Sequence, residues 1–351
     1  MMSRRALLAA GLVIPATAHA QNASKESANK GAASTGFYVS GTKQRAVRFN
    51  GNDGVTLAGT LLLPIKSELQ RVPGVVLVAG SGPTDRDGNN PLAPERIDIL
   101  RQLAELLAQA GIATLRYDKR GIGGSTPRPR GTLEEQERFT SWDNFVGDVV
   151  AAHGELVKHD EIKPYATALL GHSEGGLLSL AAVPLITRNR PHGMVLAATP
   201  GRPMAEILRA QIARSAPRML DSALRVMATV QATGHLPTEL PREVEALFPA
   251  YAGPFLQRLM AFDPAPALLQ LDLPCLLLQG AADRQVVPME DVQPLIDALS
   301  KRKASGEVAI VASVSHNLKL VTWPTDAGFR GPIAPAAAAR LVDWLAPMLG
   351  A

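Results

Sequence analysis

The sequence predicts an α/β fold, a mostly parallel sheet with helices on both faces and a helical cap insertion late in the chain. Three observations carry this. Short continuous apolar runs alternate with runs of helical periodicity, the pattern of strands buried on both faces between crossover helices. Gly171-His172-Ser173-Glu174-Gly175 stands between an apolar, β-compatible run at 166–170 and a helix-compatible run at 177–183. Residues 200–272 offer no convincing strand, only Ala-, Leu-, Met- and Arg-rich helical text broken by Pro237, Pro241, Pro249 and Pro254.

Taken in order, residues 1–20 read as an export signal. Arg4-Arg5 form the basic region, 6–14 the apolar run, and Ala18-His19-Ala20 a small-residue cleavage site before Gln21. Ser3-Arg4-Arg5-Ala6-Leu7-Leu8 also matches a twin-arginine signal in part, with Leu7 where an aromatic is usual. The apolar run falls far short of the roughly 20 residues that span a bilayer, so no stable membrane anchor is expected. The chain is expected to be exported, to the periplasm or beyond the cell. Residues 21–44, rich in Ala, Ser, Gly, Asn and Lys without periodicity, predict a flexible leader.

The core is expected from residue 45 to 199 and from 273 to 351. Residues 46–49 and 55–63 flank Asn50-Gly51-Asn52-Asp53-Gly54 and predict a β-hairpin. The first fully buried strand is 75–79. Ile97, Leu100, Leu103 and Leu107 recur at helical spacing until Gly111 stops the helix. Then follow a strand at 113–117, a helix within 142–157, a strand at 166–170, the helix after Ser173 and a strand at 194–198. After the insertion come a strand at 275–278, a helix near 289–299, a strand at 308–311 and a closing helix at 336–349. Four of the nine methionines (Met204, Met219, Met227 and Met260) fall in the insertion. Methionine packs adaptably, so they suit either an acyl-binding wall or ordinary packing on the core.

Composition narrows the function classes. The chain has 351 residues, 46% hydrophobic and 19% charged, which suits one large α/β domain with an insertion. Two of the charges behind the formal +4 are Arg4 and Arg5, so the surplus is no argument for nucleic acid or an anionic surface. Cys275, the single cysteine, excludes an intramolecular disulfide and any cysteine-based metal cluster. It sits in the apolar run 275–278 and reads as a small buried hydrophobe. Nothing in the sequence sets an oligomeric state.

The chemistry starts at Ser173. A strand that turns directly into a helix brings backbone close to backbone, so the flanking Gly171 and Gly175 must lack a Cβ. The result is a nucleophile elbow that exposes the serine hydroxyl and aims the next N–H at a reacting oxyanion. A serine hydroxyl needs a base, and the base an orienting carboxylate, in the chain order serine, acid, histidine at strand ends. Asp283 lies just beyond the strand at 275–278; Asp272 precedes that strand and Asp291 falls in the next helix, so both are worse placed. His316 follows the last strand, whereas His153, His159, His192 and His235 lie on helices, before a strand or in the insertion. His172 adjoins the nucleophile and reads as a packing or supporting residue. The two oxyanion donors are expected to be the backbone N–H groups of Glu174 and of Ser81, the latter in the loop Ala79-Gly80-Ser81-Gly82-Pro83.

With the elbow, three further motifs resemble the α/β-hydrolase superfamily, and within it bacterial exported esterases related to serine aminopeptidases. They are Gly80 to Asn89 (GSGPTDRDGN), Tyr117 to Ser125 (YDKRGIGGS), and Phe262-Asp263-Pro264 before the acid-bearing strand. The resemblance runs from about residue 46 to the C-terminus and is weakest in the insertion. Where many relatives carry His-Gly at the oxyanion loop, this chain has Ala79-Gly80. The resemblance implies that 117–125 buttresses the site, for which an Asp118–Arg120 network is expected. Asp85 and Asp87 lack the further spaced ligands of a cation loop, so no metal is expected, and no cofactor is implied.

The expectation is therefore an exported serine hydrolase acting on small-molecule carboxylic esters through Ser173, His316 and Asp283. A peptidase of the aminopeptidase type shares the triad but needs an anchor for a substrate amine, for which Glu206, Glu239 and Glu243 are available; a thioesterase is a further variant. A non-catalytic binding module should lack a member of the triad, and all three are present in order.

Overall fold

A computed structural model describes residues 41–351 apart from 69 and 324. The expected signal peptide and all but the end of the expected leader lie outside the described residues. Thr42–Gln44, placed in the leader on composition, instead begin the first strand, paired with Leu62, Leu63 and Pro64. Their polar side chains hid an edge strand, one face of which looks to solvent.

Eight strands form one sheet: β1 (Thr42–Asn50), β2 (Thr56–Pro64), β3 (Val72–Val78), β4 (Ala113–Tyr117), β5 (Ile162–His172), β6 (Gly193–Ala197), β7 (Cys275–Gly280) and β8 (Gly306–Val311). Their spatial order is β1-β2-β4-β3-β5-β6-β7-β8. The β1–β2 hairpin and the β2–β4 pair are antiparallel, and every other pair is parallel.

Alternation along the central strands serves two cores. Val76 and Val78 of β3, Met194 and Leu196 of β6, and Cys275 and Leu277 of β7 face one layer. Val75 and Leu77, Val195 and Ala197, and Leu276 and Leu278 face the other. The second layer is built by α1 (Ile99–Gln109) and by the closing helix, which is α10 (Pro335–Leu349). The first holds α2 (Leu133–Phe139), α3 (Trp142–Lys158) and α4 (Glu174–Ala182). Helix α2 was not expected, because LEEQERF carries four charges in seven residues and no apolar stripe. Its signal was local: Thr132 and Glu135 form a reciprocal capping box.

Between β6 and β7 the chain forms α5 (Met204–Ser215), α6 (Leu220–Thr233), α7 (Gly253–Ala261) and α8 (Pro264–Leu269), packed into the first layer. Phe255 of α7 meets Trp142 and Phe145 of α3 at centroid separations of 6.0 and 5.4 Å, and Phe262 meets Trp142 at 5.3 Å. The helix expected near 289–299 opens as one wide turn, Pro288–Val292, before α9 (Gln293–Lys301). Cys275 is fully buried, which pushes its thiol up to about 12 and leaves it inert. Among the described residues no helix is long and apolar enough to cross a membrane.

Candidate active site

β5 ends at His172 and α4 begins at Glu174, so Ser173 alone turns strand into helix, at φ 55° and ψ −123°. A left-handed φ on a non-glycine residue costs about 1–3 kcal/mol and persists only where its surroundings enforce it. Here Ser173 N–H donates to Ala197 O at 2.8 Å on the neighbouring strand. A Cβ on Gly171 would strike the backbone of Gly175, and one on Gly175 the carbonyls of Val78 and Ala79. Both flanking glycines are therefore steric requirements of the elbow.

Asp283 and His316 come together from the loops after β7 and β8. His316 Nδ1–H donates to Asp283 Oδ2 at 2.8 Å, which leaves Nε2 as the ring's proton acceptor. The carboxylate takes three further N–H donors: Gln279 Nε2 at 2.9 Å, Gln285 N at 2.8 Å and Val286 N at 2.9 Å. Four donors fix its plane, and through it the plane of the imidazole. His172 Nε2–H donates to His316 O at 2.9 Å, and the two rings lie 4.9 Å apart. Burial drives the His172 pKa down to about 3, so this ring stays neutral and pins the His316 loop without competing as a base.

Glu174 opens α4, where the first N–H groups of a helix have no intrahelical acceptor. Ser81 lies in the loop after β3, where Gly82 takes φ 76° and Thr84 Oγ1 donates to Ser81 O at 2.8 Å. Lys119 joins the two: its Nζ donates to Gly80 O at 2.5 Å and to Glu174 Oε1 at 3.0 Å. Both charged side chains are buried, at 5% and 2% exposure. The chain segments that carry the two N–H groups expected to receive an oxyanion are thus held by one ammonium.

The expected Asp118–Arg120 network is not what forms. Each finds a partner elsewhere in the fold: Asp118 pairs with Arg86 (2.6 Å) and Arg120 with Asp148 (2.7 Å). Arg86 also donates to Gly59 O, tying the 80–89 loop to β2. Asp85 accepts from the N–H groups of Asp87 and Asn89 in a turn, and Asp87 pairs with Arg116. These carboxylates are engaged as loop fasteners.

Two cavities flank the oxyanion residues. The larger, about 660 Å³ with its mouth, is lined by Ser173, His316, His172, Ser81, Ile97 and Phe329 among others. The smaller is lined by Gly82, Lys119, Phe145, Glu174, Tyr251 and Phe255. Ser173, His316 and Ser81 thus share one cavity, Asp283 stands behind His316, and Glu174 faces the other. Met204, Met219, Met227 and Met260 are buried in the first layer and line neither cavity, which favours packing over an acyl wall. The sequence reading passed over Gln279, Lys119 and Lys319. Lys319 Nζ donates to Ile97 O and Gly331 O, both at 2.6 Å, and so ties two walls of the larger cavity. Residues 314–319 are all buried, but VSHNLK is not an apolar run, so nothing in the sequence marked Lys319 as buried.

A serine at a strand–helix elbow, with an acid and a histidine after later strands of this eight-stranded sheet, defines an α/β hydrolase. The chain belongs to the serine aminopeptidase S33 family, whose model matches residues 94–319. Esterase EstD of Thermotoga maritima is 29% identical over 235 residues, covering 66% of this chain and 51% of the relative. The chain thus spans about half the length of that relative. Among solved structures, an esterase of Pyrococcus furiosus, PF2001, superimposes with a TM-score of 0.56 at 16% identity, covering 88% of this chain and 92% of the other. Acetyl xylan esterase 1 from Thermoanaerobacterium sp. does so at 0.51 and 16%, covering 80% of each. At such identities the likeness is one of fold.

Proposed function

We propose that this protein is an exported serine hydrolase that cleaves small-molecule carboxylic esters through an acyl-enzyme. The observation that carries the reading is the meeting of Ser173 and His316 in one cavity, with Asp283 bonded to His316 at 2.8 Å. His316 Nε2 takes the Ser173 proton as Oγ adds to the ester carbonyl. The oxygen of the tetrahedral intermediate is received by the N–H groups of Glu174 and Ser81. Collapse breaks the carbonyl–alkoxy bond, and His316 gives its proton to the leaving alcohol. Water then attacks the acyl-serine with His316 again as base, releasing the acid and restoring Ser173. The name of the curated relative, an esterase, agrees with this.

The family's own name raises aminopeptidase activity. The carboxylates considered as amine anchors do not favour it: Glu206 pairs with Arg202, Glu243 accepts from Ser222 Oγ, and neither they nor Glu239 lines either cavity. The test is turnover of 4-nitrophenyl acetate, butyrate, octanoate and palmitate by the mature chain beside Ser173→Ala. The variant is expected to lose on the order of 10⁶ in kcat. Near-normal turnover by it, or cleavage of aminoacyl anilides in place of all esters, overturns the assignment. Export is checked by N-terminal sequencing of the secreted or periplasmic protein, expected to begin at Gln21.

A further inference from the structure

The inserted helices reach the acid of the site through the backbone of the loop that carries it. Gln211, buried on α5 at 1% exposure, donates from Nε2 to Gln285 O at 2.8 Å. A carbonyl only accepts, so the amide nitrogen is the end that faces it. That carbonyl belongs to the same planar unit as the Val286 N–H, which donates to Asp283 Oδ1 at 2.9 Å. In a trans peptide C=O and N–H point in opposite directions, so a donor that fixes the oxygen also aims the hydrogen. Gln211, the peptide and the Asp283 carboxylate form one chain of hydrogen bonds, each polarising the next. The chain ends at His316 Nδ1, 2.8 Å from Asp283 Oδ2.

The following peptide is gripped in the same manner but leads elsewhere. Val286 O accepts from Gln279 Nε2 at 3.1 Å, and Val287 N–H donates to Asp291 Oδ2 at 2.7 Å. Asp291, fully buried, is met by Arg202 Nε at 3.0 Å, just ahead of α5. That route ends on a carboxylate that does not touch His316. The route from Gln211 ends on the one that does, a single peptide away.

We propose that Gln211 is a positioning residue for the triad: it sets the 285–286 peptide, which holds Asp283 in the plane that orients His316. The proposal rests on the ester-hydrolase reading above. It gives the insertion a part in catalysis that needs no contact between Gln211 and substrate.

Gln211→Met keeps the reach of the side chain and removes the donor, and Gln211→Leu serves in its place should the methionine variant fail to fold. With 4-nitrophenyl butyrate, kcat is expected to fall about tenfold, the upper range for one neutral hydrogen bond. KM should stay within about twofold, since the loss falls on the transition state. In an Asp283→Asn background the same substitution should cost no more than about twofold, because the chain there already ends on the wrong group. The downfield proton resonance of His316 Nδ1–H should shift or broaden in Gln211→Met. Ile212→Val, its buried neighbour on α5, loosens packing without touching the chain of bonds and should leave kcat unchanged. An unchanged kcat and proton signal in a folded Gln211 variant overturn the proposal. So does a full tenfold loss on top of Asp283→Asn, or an equal loss in Ile212→Val. If the parent turns over no ester, the underlying reading falls, and the proton signal alone decides whether Gln211 controls the Asp283–His316 bond.

Discussion

Lys119→Met tests whether one ammonium holds the oxyanion hole together. The substitution keeps an unbranched side chain one atom shorter and removes two hydrogen bonds, at 2.5 Å to Gly80 O and 3.0 Å to Glu174 Oε1. Because Glu174 Oε2 has no hydrogen-bond partner to begin with, the variant leaves a buried carboxylate without its counter-charge. Removing one member of a buried pair costs about 3–5 kcal/mol. Glu174→Gln should cost less, because Lys119 keeps Gly80 O and the amide oxygen can still accept. The double variant removes both charges and should lie about 1–3 kcal/mol above the sum of the singles in stability. Urea denaturation of all four proteins at pH 7 measures the cycle. Kinetics supply the second readout: kcat for a 4-nitrophenyl ester should drop in Lys119→Met with little change in KM. The loss of one oxyanion donor, roughly 10²–10³, is its upper bound. Additive singles, or a Lys119→Met protein within 1 kcal/mol of the parent, would refute the argument that this pair spaces the two donors.

Asp283→Asn replaces an acceptor of four N–H donors with a group that itself donates, turning His316 to the wrong tautomer; kcat should fall about 10⁴-fold with far-UV circular dichroism unchanged. Gly175→Ala places a methyl against the carbonyls of Val78 and Ala79, so serine labelling by a fluorophosphonate should be lost or the protein should fail to fold; normal labelling would contradict the elbow geometry. His153, buried on α3 with Nε2 at 2.9 Å from Thr167 Oγ1, has its pKa lowered from 6.5 to about 4 by burial. The folded state therefore binds fewer protons than the unfolded chain between those values. Stability should be full above pH 6.5 and fall toward pH 4, by about 1.4 kcal/mol per unit for this group. His153→Gln should flatten that part of the stability–pH curve, read as urea midpoints from pH 7 to 4.

The parallel sheet and the elbow were legible because each follows from local chemistry. Continuous apolar runs need cover on both faces, and a serine between glycines at a strand end has few other uses. Asp283 and His316 were chosen by chain order, and their side chains meet because the fold brings strand C-terminal ends to one edge. What escaped depended on contacts across the fold. Whether Asp118 meets Arg120 or Arg86 is decided by the approach of the 80–89 loop to β4, separated by about thirty residues of chain. The sequence reading gave Lys119 and Lys319 no role, and only folding shows their ammonium groups capping backbone carbonyls inside the protein. Thr42–Gln44 were lost to the leader because an edge strand with one wet face has no continuous apolar run.

The inserted helices bear on specificity differently from what their composition implied. A flexible methionine wall would favour long, variable acyl chains, yet all four methionines are spent in packing α5–α8 onto the sheet. The insertion lines the smaller cavity through Tyr251, Ala252 and Phe255, which cover Lys119 and Glu174. Phe255 is in turn clamped by Trp142 and Phe145. A cavity closed by interlocked aromatic rings cannot lengthen without unpacking α7 from α3. The opposite cavity has walls from two loops, joined by Lys319 to Ile97 O and Gly331 O. Loops yield more readily than packed helices. Change should accordingly come more readily to the walls of the larger cavity than to those of the smaller.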